Sequence, residues 1–183
     1  GHPIKGYSFS LRGIENCPGL LHLIITDSED LKDLNGLEFC RGLISLSVYG
    51  EGCPLDLTAI RDLDRIDDLV LYVPFELESI DFTMFPRLKN LSVELPRHVR
   101  DLKFLRGCRL VRLSVLGKIE TLKGLCTDKL EELKAVDNRI RTIKTLRYAY
   151  KLRTLNLCEN RIRDFSPLDH LRIRELYLQS QKR

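Results

Sequence analysis

Apolar residues recur along this chain in a fixed phrase, two polar positions and then strict alternation. The clearest copy is Leu152-x-x-Leu155-x-Leu157-x-x-Asn160-x-Ile162, and Leu130-x-x-Leu133-x-Ala135-x-x-Asn138-x-Ile140 precedes it by 22 residues. Counting every copy, the phrase starts at residues 20, 43, 66, 88, 110, 130, 152 and 173, so the spacings are 23, 23, 22, 22, 20, 22 and 21. Ile4-x-x-Tyr7-x-Phe9 reads as a shortened leading copy. Alternation puts the fourth and sixth positions of each copy on one side of a short strand. A fixed period of this length marks a stack of identical supersecondary units.

Between strands the apolar spacing changes to three. Leu31, Leu34, Leu37 and Cys40 follow it. So do Leu57, Ile60 and Leu63; Val99, Leu102, Leu105 and Cys108; Ile140, Ile143, Leu146 and Ala149; and Ile162, Phe165, Leu168 and Leu171. That spacing suits 3₁₀ turns or short helices with one buried side, and Pro167 suits an early helical position. At the turn after the strand, Asn138 and Asn160 are expected to bond backbone groups that would otherwise go unpaired. The other copies carry Ser28, Glu51, Pro74, Pro96, Lys118 and Gln181 there, so irregular early turns are expected.

The phrase resembles the leucine-rich repeat over nearly the whole chain. Its period near 22 is similar to the subclass typified by the leucine-rich regulatory subunit of protein phosphatase 1. The resemblance implies an α/β solenoid, a right-handed superhelix with a parallel concave β-sheet and 3₁₀ or short helical turns on the convex side. It also implies a non-catalytic adaptor, scaffold or regulatory subunit, with a phosphatase among the partners. Residues 20–183 then form the repeat domain, with about seven full repeats and a truncated last one. Residues 1–19 form an irregular partial repeat behind a Gly1-His2-Pro3 start that resembles the scar of a cleaved tag. The chain stops just after a strand, so a fragment, or an end covered by a partner or a second copy, is expected. The turn-rich run from Tyr49 to Pro54 reads as an enlarged loop rather than a domain boundary.

The third, fifth and seventh positions of each copy face away from the core. They place Ile24, Tyr49, Val70, Tyr72, Leu116, Val136 and Tyr177 on the concave face, with Arg112 and Lys134 among them. β-branched and aromatic residues suit strands in any case. An apolar stripe on an open face is nevertheless better explained as a surface for a protein partner. Tyr49 and Tyr72 occupy the same position in neighbouring copies and are the expected anchors.

Charge adds polarity. The net charge is only +4, yet residues 1–90 hold 8 basic and 15 acidic residues while residues 91–183 hold 22 and 11. In a solenoid that split becomes a dipole along the axis, which favours an acidic partner and end-to-end self-association. Arg139, Arg141, Arg161 and Arg163 recur at one place in two copies and are expected to form a basic edge, extended by Arg97, Arg100, Arg172 and Arg174. A solvated edge, an acidic protein and a nucleic-acid backbone all fit such an edge. Few aromatics interleave with these arginines, which disfavours stacking of single-stranded bases. The alternatives to an adaptor are a ribonucleoprotein component and a secreted or pathogen-associated recognition protein.

The chemistry of catalysis is missing. No P-loop, G-x-G-x-x-G, H-E-x-x-H or G-x-S-x-G occurs, and the four His are scattered. No cofactor is expected. No apolar run approaches the roughly 18 residues that span a membrane. Six Cys without C-x-x-C spacing suggest reduced thiols in an intracellular protein rather than a zinc site. Cys17, Cys40, Cys108 and Cys126 are expected to face inward as core filler, with Cys53 and Cys158 more exposed.

Overall fold

The structure, a computed structural model, describes residues 10–26 and 29–182. The shortened leading phrase at Ile4, Tyr7 and Phe9, the tag-like start and Ser28 lie outside these residues. Eight parallel strands form one sheet in chain order: β1 (His22–Ile25), β2 (Ser45–Tyr49), β3 (Asp68–Tyr72), β4 (Asn90–Glu94), β5 (Arg112–Leu116), β6 (Glu132–Lys134), β7 (Thr154–Asn156) and β8 (Glu175–Tyr177). Each strand begins two residues after a repeat start. The register aligns equivalent repeat positions, as in Leu46 with Leu69 and Leu113 with Leu133. Sequence order is therefore spatial order, and the acidic and basic halves lie at opposite ends of the sheet.

Alternation along each strand buries one side. Leu46, Leu69, Leu91, Leu113, Leu133 and Leu155 form one inward row, and Val48, Leu71, Val93, Val115, Ala135 and Leu157 form the next. The three-residue rhythm of the return segments supplies the opposite wall. Leu34, Leu37, Leu57, Ile60, Leu102, Leu105, Ile143 and Leu146 are all fully buried. Short 3₁₀ helices carry several of these side chains, at Leu37–Phe39, Thr58–Ile60, Lys103–Leu105, Lys144–Tyr148 and Ser166–Leu168. Pro167 is the second residue of the last of them, within the first turn, where its missing N–H costs nothing. The 20-residue copy that starts at Leu110 is the exception: between β5 and β6 the chain makes bends, turns and one isolated parallel bridge, Thr121 with Thr142, but no 3₁₀ helix.

An Asp or Thr side chain starts most return segments by accepting the N–H two residues on. Asp33, Asp56, Asp81, Asp101 and Asp164 do so for Asn35, Thr58, Thr83, Lys103 and Ser166. Thr121 and Thr142 do so for Lys123 and Lys144. Such side-chain turns stand in for a backbone turn, which is why short polar residues recur there.

The turns after β6 and β7 are held from inside by asparagine. Asn138 is 2% exposed and Asn160 fully buried. Asn138 accepts the Ile119 N–H and donates to the Val115 and Val136 carbonyls. Asn160 accepts the Ile140 N–H and donates to Ala135, Leu157 and Cys158. Gln181 repeats the pattern, accepting the Ile162 N–H and donating to Leu157 and Leu178. The residue before each, Asp137, Glu159 and Ser180, has φ of 51°, 58° and 57°. The Tyr49–Pro54 loop leaves the sheet unbroken. Gly52, at φ 121°, lies so close to the Glu29 carbonyl that a Cβ would sit 2.5 Å from its oxygen.

Of the cysteines expected inside, Cys40 and Cys108 are buried and Cys126 is half-buried. Cys17 is exposed, a correction to the sequence reading. It ends the first described return segment, whose turn Ile14–Asn16 has no buried residue, and Cys40 of the next turn covers its carbonyl rather than its thiol.

Candidate protein-binding face and basic edge

Register places the open-face residues in three rows across the sheet. The third-position row is polar: His22, Ser45, Asp68, Asn90, Arg112, Glu132, Thr154 and Glu175. The middle row runs Ile24, Ser47, Val70, Ser92, Ser114, Lys134, Asn156 and Tyr177. The far row carries Tyr49, Tyr72, Glu94 and Leu116 on β2 to β5.

Tyr49 and Tyr72 stack, with ring centroids 5.8 Å apart and planes 29° from parallel. The Tyr72 hydroxyl lies 3.4 Å from that of Ser114, two strands away. Ser92 lies on the strand between them. Tyr72, Val70, Ser92, Ser114, Arg112 and Lys134 line one open pocket of about 460 Å³. Its floor is charged but balanced. Glu132 lies 3.6 Å from Arg112 and 2.6 Å from Lys134, and Arg112 also reaches the Asn90 side-chain oxygen at 3.3 Å. Opposite them, burial pushes the Asp68 carboxyl above the usual carboxylate range; Asp67 adds to the rise and Arg112 opposes it.

The apolar residues expected on this face are less continuous than the sequence pattern implies. Ile24 is 69% exposed but stands at the β1 end, and Glu94 separates Tyr72 from Leu116 in the far row. Val136 lies beyond the end of β6, in the turn held by Asn138, because that strand is only three residues long. Tyr177 is exposed on β8, apart from the tyrosine pair. The structure therefore brings Val70, Tyr72, Arg112 and Lys134 together beside Tyr49, and leaves Ile24, Val136 and Tyr177 outside the cluster. Sequence reading did not commit to Asp68, Asn90, Ser92, Ser114 or Glu132 as parts of the site, because each is an ordinary surface residue until register sets it in the pocket.

The basic edge follows β6 and β7. Arg139, Arg141 and Arg163 are exposed and Arg161 is half-buried. Arg141, Arg161 and Arg163 join Lys182 around a pocket of about 370 Å³. Of the expected extensions, Arg100 instead pairs with Glu120 at 3.5 Å. Arg172 and Arg174 precede β8, so they lie at the strand-entry edge rather than the exit edge. A separate exposed group on the convex side, Tyr148, Tyr150 and His170, was not marked by the repeat pattern. Its ring centroids are 6.4 and 5.9 Å apart in succession.

No metal-holding group of three or more His, Cys, Asp or Glu occurs among the described residues. Among the same residues, no helix is long and apolar enough to cross a membrane.

The architecture is that of a leucine-rich-repeat solenoid, an open parallel sheet backed by short 3₁₀ turns. It superposes on internalin C2 of Listeria monocytogenes with a TM-score of 0.68 at 22% identity, over 90% of this chain and 83% of that one. An internalin of the same organism, inlF, gives 0.77 at 26% identity over 91% of this chain and 50% of its own length. TLR13, in its complex with ssRNA13, gives 0.70 at 23% identity over 91% of this chain and 26% of its own. The chain thus spans about half of the inlF chain and a quarter of the TLR13 chain. No family model matches the sequence, and no curated protein matches it. These neighbours support the leucine-rich repeat in general. The narrower likeness to the phosphatase regulatory subunit rests on repeat length alone.

Proposed function

We propose that the chain is a non-catalytic protein-interaction module that holds a protein partner against the open face of its sheet. The observation that carries this reading is the stacked Tyr49–Tyr72 pair beside the pocket of Val70, Arg112 and Lys134. Tyr49 is 39% exposed, so the pair leaves aromatic surface in water that folding alone does not require. Tyrosine is a favoured anchor because it buries a large rigid area at little entropic cost and keeps a hydroxyl for bonding. Parallel strands hold these side chains in place before a partner arrives, which reduces the ordering cost of association. The Arg112–Glu132–Lys134 group then sets orientation more than affinity.

The test is affinity capture with quantitative mass spectrometry, comparing the unchanged chain with Tyr49→Ala plus Tyr72→Ala. Partners bound at this face drop out of the double variant by at least about tenfold, since two anchors each contribute on the order of 1–2 kcal/mol. A partner retained in full by the double variant places the binding surface elsewhere. Nucleic acid in the captured material, released steeply as salt rises, would replace this reading with a ribonucleoprotein role.

A further inference from the structure

We infer that the pocket on the strand-exit edge, bounded by Arg141, Arg161 and Arg163, is a binding site for a phosphate dianion. It lies apart from the tyrosine face, on the turns after β6 and β7, and does not depend on that reading. The first ground is the unspent charge. Several cations on this surface are taken up by carboxylates: Arg100 by Glu120, Arg109 by Asp128, Arg112 by Glu132, Lys89 by Asp67. Among the described residues Arg141, Arg161 and Arg163 have none, and no carboxylate lines their pocket. Asp164, the nearest in sequence, accepts the Ser166 N–H. The fourth lining residue, Lys182, is neutralised by Asp137 and Glu159 at 2.5 and 3.4 Å.

The second ground is the Arg161 side chain itself. Its Nε is buried and has no hydrogen-bond partner. A buried donor left unpaired is costly, and three guanidinium groups round one pocket repel one another. A dianionic oxyanion offsets both. Guanidinium binds such an ion through two parallel N–H bonds, and the edge that carries Nε is one that can supply them. The third ground is extent. The equivalent positions one repeat earlier are Ile119 and Thr121, so the cluster stops on the β5 side, and one repeat later the position of Arg161 is held by Lys182, already paired with Asp137 and Glu159. No aromatic lines it. That favours one compact phosphate, free or esterified to a side chain, over a polynucleotide, which needs a longer basic path and stacking platforms.

The experiment follows the arginine Nε–H signals by NMR at constant ionic strength in chloride. The probes are inorganic phosphate, a short peptide with one phosphoserine, the same peptide unphosphorylated, and a ten-nucleotide oligouridylate. Saturable shifts at Arg161 with phosphate or the phosphopeptide, and none with the plain peptide, support the site. Tighter binding of the phosphopeptide assigns the esterified source, and equal binding the free ion. Arg141→Gln plus Arg163→Gln, both at exposed positions, weakens either at least about tenfold with the urea midpoint unchanged. Shifts that grow linearly without saturating, or that persist in the double variant, overturn the proposal. So does an oligouridylate that outbinds both and is not displaced by phosphate.

Discussion

The Gln181 side chain accepts the Ile162 N–H at 3.1 Å, the same bond that Asn160 accepts from Ile140 one turn earlier. Three successive turns thus share one internal device, a side-chain amide that satisfies an N–H and a carbonyl of the preceding coil together with at least one carbonyl of its own turn. Asn160→Ala would leave the Ile140 N–H and the Ala135 carbonyl unpaired in a fully buried place. At roughly 1–3 kcal/mol for each buried group left unsatisfied, the expected loss is about 3 kcal/mol of unfolding free energy. Asn138→Ala is expected to cost a similar amount. Gln181→Ala is expected to cost less, because its side chain is only partly buried. Urea titration of the three variants gives the ranking, and midpoints no lower than that of the unchanged chain would remove the ladder as a source of stability.

The return segment between β5 and β6 lacks a 3₁₀ helix. Gly124 turns that return segment at φ 104°, and a Cβ there would lie 2.4 Å from the Leu102 carbonyl oxygen and 2.5 Å from the Lys103 Cα. Both atoms are backbone, so the adjacent coil has to move. Gly124→Ala combines this overlap with a conformation that L residues rarely adopt. A loss of about 3 kcal/mol or more is expected. Gly107→Ala is the control, since φ is 96° but the nearest atom is a Thr83 methyl at 3.8 Å. It is expected to cost only about 1 kcal/mol. Thermal melts of the pair separate overlap from backbone preference.

The repeat made the sheet legible residue by residue. Alternation placed Leu69 and Leu71 inside, and the start of every strand followed from the phrase. The three-residue rhythm likewise put Leu34 and Ile60 on the inner wall. What the phrase did not carry was the length of each strand and the side-chain substitutions that preserve a turn. β6 ends at Lys134, so Val136 leaves the open face for the turn. Gln181 has one more methylene than asparagine and still reaches the same groups, which residue identity alone does not show. The Asp and Thr side chains that start the return segments were visible as letters, but their role depends on a turn geometry that has no period of its own. The pocket residues Ser92 and Glu132 became part of a site only through register. Arg161 was legible as charge, whereas its unpaired buried Nε was not.

Two aspartates are expected to respond to pH with opposite signs. Asp68 has its pKa raised, chiefly by burial. Its folded form binds a proton more tightly than the unfolded chain. The destabilising effect of its charge is therefore full above the raised pKa and vanishes below the unfolded value of about 3.9. Asp137 has its pKa lowered, first by the hydrogen bond from Lys182 and then by Lys118 and Lys182 as charges. Its contribution is present above about pH 4 and is lost as pH falls through the folded pKa. At pH 7, Asp68→Asn is expected to raise the melting midpoint and Asp137→Asn to lower it. Asparagine tolerates the left-handed backbone at position 137, so the second change tests charge rather than strain. Both variants are expected to converge on the unchanged chain in melts recorded near pH 2. Differences that persist there would mean that something other than ionisation is being read.

The thiols give a map of burial that needs no partner. Cys17 and Cys53 are exposed, whereas Cys40 and Cys108 are buried. Burial pushes the Cys108 thiol up to about 11, and burial first, then nearby Cys17, Glu38 and Glu15, raises Cys40. Only the thiolate reacts with iodoacetamide, so both access and ionisation protect these two. Cys126 is half-buried and raised by burial, with its thiol donating to the Asp128 carboxylate at 3.1 Å. The Cys158 thiol donates to the Gln179 side-chain oxygen at 2.8 Å. At pH 8 the native protein is expected to label first at Cys17 and Cys53, more slowly at Cys158 and Cys126, and at Cys40 and Cys108 only with denaturant present. Peptide mass spectrometry over a time course reads the order directly. Labelling of Cys40 at the rate of Cys53 would show that the coil ending at Cys40 does not bury its thiol, and the inner wall at Leu34 and Leu37 would have to be redrawn with it.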